Sequence, residues 1–166
     1  MENLKTKKET HRIAGKLKEI VTVHDDKGQI IHKLINPLHV EFTVKDMLQI
    51  MIGASILAIP VGFTEETWNL GAELPMRNVI MLMLISLFFI SIFVYYNYYR
   101  NHLEVHTFEY IKRVISTYLF SFLIVAMLLA LIQRTPWVTD WVLSFKRIVL
   151  VTFPASMSAV VADTFK

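Results

Sequence analysis

RNVIMLMLISLFFISIFVYYNYYR, residues 77–100, decides the fold, because no side chain between its two arginines carries a charge. At about 1.5 Å of rise per residue, a helix over this stretch reaches about 33 Å, enough to cross roughly 30 Å of hydrocarbon. Working outward, residues 114–133 form a second uncharged stretch between Arg113 and Arg134, and residues 47–64 form a third. Residues 148–162, between Arg147 and Asp163, are shorter than a typical span. They can still cross if Lys146 and Arg147 snorkel toward the headgroups or the bilayer thins; the alternative is a re-entrant or interfacial segment. The expected architecture is an all-α membrane protein of about four transmembrane helices, over residues 44–66, 76–98, 110–133 and 146–165.

Composition agrees with this reading. Of the 166 residues, 54% are hydrophobic and 19% charged, more apolar than an ordinary soluble domain. The formal net charge of +3 does not point to nucleic acid, since the basic residues gather before residue 46 and at the ends of apolar runs. The absence of cysteine excludes a disulfide framework, a thiolate metal site and a cysteine nucleophile. The first apolar run starts after more than forty residues, too late for a cleaved signal peptide, so the whole chain is expected to be retained.

Ahead of the spans, residues 1–18 are rich in lysine and arginine with little apolar periodicity and read as a flexible basic tail, suited to lying on anionic headgroups. Residues 19–34 place two β-branched runs around Asp25-Asp26-Lys27-Gly28, a hairpin signature. A small cytoplasmic β-hairpin is therefore expected, followed by a connector over residues 35–42, with Pro37 disfavouring helix before it. Thr43 and Asp46 have the spacing of a capping box at the start of the first span.

Orientation follows from the flanking charges. Nine Lys or Arg precede Asp46 and three more lie in the segment 100–113, whereas residues 64–76 hold Glu65, Glu66 and Glu73 without a cation. The positive-inside rule places both termini in the cytoplasm, although Arg134, Lys146 and Arg147 on the opposite side weaken the contrast. Trp68, Trp137 and Trp141 then fall at the outer interface, while Tyr95, Tyr96, Tyr98 and Tyr99 fall at the inner one. Residues 137–145 read as a short interfacial helix leading into the last span.

The candidate functional residues lie on the first and last spans. Ala54, Ala58, Gly62 and Glu66 recur every four residues, one stripe of a helix, and Ala155, Ala159 and Asp163 repeat that spacing. Small stripes let helices approach closely in lipid. Pro60 and Pro154 are expected to kink their helices and free carbonyls, which with Ser156 and Ser158 can coordinate a cation. On this reading Glu65, Glu66 and Asp163 stand near helix C-termini, where the macrodipole disfavours an acid, so a bound cation or a basic partner should compensate. Glu65 and Glu66 would mark the outer mouth of a cation path and Asp163 the inner; the plainer alternative is that all three mark where helices leave the membrane.

All six histidines, at 11, 24, 32, 39, 102 and 106, fall on the side taken as cytoplasmic, and without a recognisable set of partners they indicate neither a metal site nor a pH sensor. No phosphate loop, zinc-protease motif or hydrolase serine motif is present, so neither enzymatic activity nor a cofactor is expected.

The run Gly53-Ala54-Ser55-Ile56-Leu57-Ala58-Ile59-Pro60, followed by Thr64-Glu65-Glu66-Thr67-Trp68 and Leu70-Gly71, resembles an uncharacterised family of bacterial integral membrane proteins, a domain of unknown function. The closing Phe153-Pro154-Ala155-Ser156-Met157-Ser158-Ala159 is similar to the same family. The resemblance implies a bacterial membrane location and a helical fold, and it transfers no catalytic or binding residue. Two functional expectations remain. One is a small homo-oligomeric channel or transporter for inorganic cations in the inner membrane. The other is a non-conducting scaffold or sensor whose hairpin and basic tail bind a partner or anionic lipid.

Overall fold

A computed structural model describes residues 5–13, 16–24, 29–37, 41–100 and 103–165, which divide into two compact units at residues 41 and 42. The first unit is an antiparallel sheet of β1 (Lys5–Ile13), β2 (Lys16–His24) and β3 (Ile30–Pro37), in the order β1-β2-β3. The expected hairpin is its β2–β3 half, with Ile20 opposite Ile35 and Val21 opposite Leu34. The proposed turn at residues 25–28 lies outside the described residues. The supposed basic tail contributes β1, paired from Lys5↔His24 to Ile13↔Lys16. Its alternating Lys, Thr and Glu give almost no apolar period, so the strand is held by main-chain pairing to β2 and left no hydropathy signal. Likewise residues 35–37, read as connector, belong to β3.

The second unit carries four helices long and apolar enough to cross a membrane. Helix α1 (Val44–Gly62) opens with the Thr43 and Asp46 capping box and is followed by the short α2 (Glu65–Glu73). Helix α3 (Met76–Val94) runs into a π-helical turn, Tyr95–Tyr99. Helix α4 (Leu103–Leu131) has a non-helical residue at His106, and α5 covers Trp141–Asp163. The last span thus starts earlier than its uncharged core suggested, taking Lys146 and Arg147 into its second turn, and its 23 residues reach about 34 Å. No separate interfacial helix stands at 137–145; Asp140 caps α5 through a 2.9 Å bond from the Leu143 amide. Pro60 and Pro154 both lie inside helices that continue past them.

Helix α5 packs against α1, α2, α3 and α4, so the shortest apolar run became the centre of the bundle. The small stripes explain how. Ala54, Ala58, Ala155 and Ala159 are all buried in the shared core. At Gly53 an added Cβ would overlap the Ala162 methyl and stand 3.0 Å from Ala159 Cα. In lipid, where apolar surface is not expelled by water, such close approach is the main source of helix association.

Helix α4 shows how the chain separates lipid from interior. Ile111, Ile115, Leu119, Leu123 and Met127, four residues apart, are exposed, while Arg113, Thr117 and Ser121 are buried on the other side. Large apolar side chains outside and polar ones inside is the arrangement expected of a bundle solvated by acyl chains.

Candidate functional site: a buried aspartate–arginine–aspartate centre

One end of the bundle gathers the start of α1, the first turns of α4 and the last residue of α5. Arg113 donates from Nη1 to Asp163 Oδ2 at 2.7 Å and from Nη2 to Asp46 Oδ2 at 3.2 Å. All three residues are at most 1% exposed. The guanidinium lies 4.1 Å from the Tyr98 ring centroid and 5.6 Å from that of Phe42. A planar cation with several fixed donors can serve two carboxylates and two aromatic faces at once, which a lysine ammonium cannot reproduce.

Each member is positioned by local chemistry. Asp46 is the third residue of α1, where its Oδ2 also accepts from the Thr43 amide at 2.9 Å and the Thr43 hydroxyl at 3.0 Å. The capping box therefore orients this carboxylate toward α4. Asp163 closes α5, and its main-chain carbonyl accepts from the Tyr98 hydroxyl at 2.8 Å, tying the π turn after α3 to the same place. Arg113 heads the buried polar stripe of α4; Thr117 donates to the Arg113 carbonyl and Ser121 to that of Thr117. Two carboxylates and a guanidinium are thus enclosed together in the bundle, where charges persist only with partners.

Sequence reasoning singled out Asp163 and expected a bound cation or a basic partner beside it and beside Glu65 and Glu66; next to Asp163 stands Arg113. That reasoning missed Arg113 and Asp46 as site residues, reading the first as the boundary of a span and the second as a cap. The available signal was the spacing of Arg113, Thr117 and Ser121, a polar stripe at every fourth residue inside an otherwise apolar helix.

The other candidates lie elsewhere. Glu65 and Glu66 are exposed in the first turn of α2, at the far end of the bundle. The continuous stripe from Ala54 to Glu66 is broken, because α1 stops at Gly62 and a new helix begins. The macrodipole argument reverses with it, since acids in a first turn are favoured. Ser156 is buried and shares a 2.7 Å hydroxyl bond with Ser86 of α3. Ser158 is half-buried, and its carbonyl faces Gly53. Among the described residues no group of three His, Asp or Glu could hold a metal ion, and His102 lies outside them.

At the far end the cations meet main-chain oxygen. Arg147 donates to the Trp68 carbonyl at 3.2 Å and to the Arg134 carbonyl at 2.8 Å, and Lys146 donates to the Ala72 carbonyl at 3.3 Å. The Arg134 guanidinium lies 3.8 Å from the Trp68 ring centroid, and the Trp68 indole donates to the Gly62 carbonyl at 2.7 Å. The Gly62 and Ala72 carbonyls are ones that the ends of α1 and α2 leave over, while Trp68 lies within α2 and Arg134 just past α4.

Four apolar helices around a buried ionic centre define a multi-pass integral membrane protein. Residues 14–163 match the family described as "Putative integral membrane protein (DUF2391)", and the chain belongs to that family. No curated protein and no solved structure matches it.

Proposed function

We propose that the protein moves a small inorganic cation or a proton across the bilayer, with Asp46 and Asp163 as the carboxylates that receive it and Arg113 as the resident cation it displaces. The observation that carries this reading is the buried pair of acids sharing one guanidinium. Ionisable groups enclosed within a membrane bundle are costly, and they are characteristic of ion and proton pathways. The hydroxyls of Thr117, Ser121, Ser86 and Ser156 continue polar character into the bundle beneath the centre. The path runs through the interior of one chain, so the expected homo-oligomer would multiply paths and is not needed to create one. Glu65 and Glu66 have no part in it, being exposed a turn away from the Trp68 that Arg134 and Arg147 contact. The protein is read as non-enzymatic, resident in a bacterial inner membrane with both termini cytoplasmic; a periplasm-active reporter fused to the C-terminus should stay inactive.

The test is flux of potassium, sodium and protons in liposomes carrying the purified protein. Wild type should conduct at least one of them, Asp46→Asn and Asp163→Asn should each lower flux about tenfold or more, and Glu66→Gln should leave it unchanged. No flux for any of the three ions would sink the reading.

One observation favours the second reading, a scaffold or sensor. On β3, an edge strand, Ile30, Ile31, Leu34 and Ile35 are all exposed, a surface suited to pairing with a partner. A scaffold should lose its partner on deletion of residues 1–41, a deletion that a cation path tolerates.

A further inference from the structure

On the outer surface of the bundle, α3 and α5 leave between them a cavity of about 320 Å³, lined mainly by Phe89, Ile92, Phe93, Tyr96, Met157 and Val160. Its size falls at the lower end of ordinary small-molecule sites, roughly 300–1,000 Å³. From Phe89 to Tyr96 it follows α3 for about 10 Å. The lining is almost wholly apolar and polarity is confined to one end, where Asn97 joins it. Just beyond, the exposed Arg100 holds its guanidinium 6.0 Å from the centroid of the Tyr96 ring.

This cleft is separate from the ionic centre. Its apolar length runs along two membrane-spanning helices, in the half of the bilayer nearer Arg113, and its polar end coincides with the tyrosine-rich turn after α3. An occupant must therefore be a hydrocarbon chain lying along the helix direction, with a group at its upper end that tolerates or seeks a cation. We propose that the cleft seats one acyl chain of an anionic phospholipid, whose phosphate is met by Arg100 at the level of Tyr96 and Asn97. Arginine suits the task because its planar donors fit phosphate oxygens in pairs. The acyl chain would cover Phe89 and Ile92, 48% and 40% exposed, and Tyr96, 61% exposed. A second copy of the chain is a poorer occupant, since an identical α3–α5 face would bring Arg100 no complementary charge.

The experiment is native mass spectrometry of full-length protein released from vesicles of equal parts phosphatidylcholine and phosphatidylglycerol. Wild type should retain one phosphatidylglycerol per chain in preference to phosphatidylcholine. Arg100→Gln, an exposed change that leaves the helices intact, should lower that preference about fivefold, the effect of one cation near a lipid surface. Met157→Trp, which fills the cleft, should abolish retention of either lipid while keeping the wild-type helical circular dichroism. The proposal is overturned if wild type retains the two lipids equally, if Arg100→Gln keeps the full preference, or if wild type is released as a lipid-free dimer that Met157→Trp converts to a monomer.

Discussion

The two ends of the helical bundle use arginine in opposite ways. At one end Arg113, fully buried, meets two carboxylates, Asp46 and Asp163, from the first and last helices. At the other Arg147, partly buried, donates to main-chain oxygen, the carbonyls of Trp68 and Arg134. The first arrangement consists of charges that depend on one another and cannot be exchanged for water. The second consists of hydrogen bonds to main-chain carbonyls, one within α2 and one just past α4, for which water or lipid headgroups could substitute as the arginine's partners. An arginine that donates to main-chain oxygen is replaceable; one that neutralises enclosed acids is not.

The largest expected effect tests that difference directly. Arg113→Gln leaves two carboxylates buried beside a neutral amide and should destabilise the bundle by about 3–5 kcal/mol, measured by denaturant titration in micelles. Adding Asp46→Asn and Asp163→Asn to this variant should restore much of the loss, because the charges then vanish together. Failure of the triple variant to recover would mean that Arg113 acts through packing on Tyr98 and Phe42 and not through charge.

A smaller effect is expected where the two acidic helices touch. Gly53→Val forces α1 away from α5 and should cost about 1–3 kcal/mol, as overpacking does. Because the shift also separates Asp46 from Asp163, its cost should shrink in the charge-free triple variant. Strict additivity would show that the seam and the ionic centre are independent.

The smallest effect belongs to the far end. Arg147→Ala should cost about 1 kcal/mol, the loss of hydrogen bonds whose acceptors can find other donors. Amide exchange should quicken in α2 and leave the residues around Arg113 unchanged. A loss as large as that of Arg113→Gln would erase the distinction between the two ends.

Much of the fold was legible in sequence because hydrophobic length is a direct physical requirement for crossing a bilayer. The stretches around residues 78–99 and 114–133 left little choice. The last span was less visible, since Lys146 and Arg147 sit inside α5 and shorten its uncharged core, and β1 was invisible because its backbone pairing has no apolar signature. Of the candidate site only Asp163 was legible. Asp46 was concealed by a sufficient local role as a cap, and Arg113 by its position at the edge of a charged loop.

The sequence by itself determined that the chain crosses the membrane on apolar helices and that the first and last of these segments carry faces small enough to meet closely. Hydropathy and side-chain size are properties of each residue and survive without knowledge of its neighbours. Only the tertiary structure decided which charges face one another. The direction in which Arg113 points depends on how α4 rotates against α1 and α5, and residues 46, 113 and 163 are too far apart along the chain for any local pattern to join them. That rotation turns Ile115 and Leu119 outward and places two aspartates against one arginine.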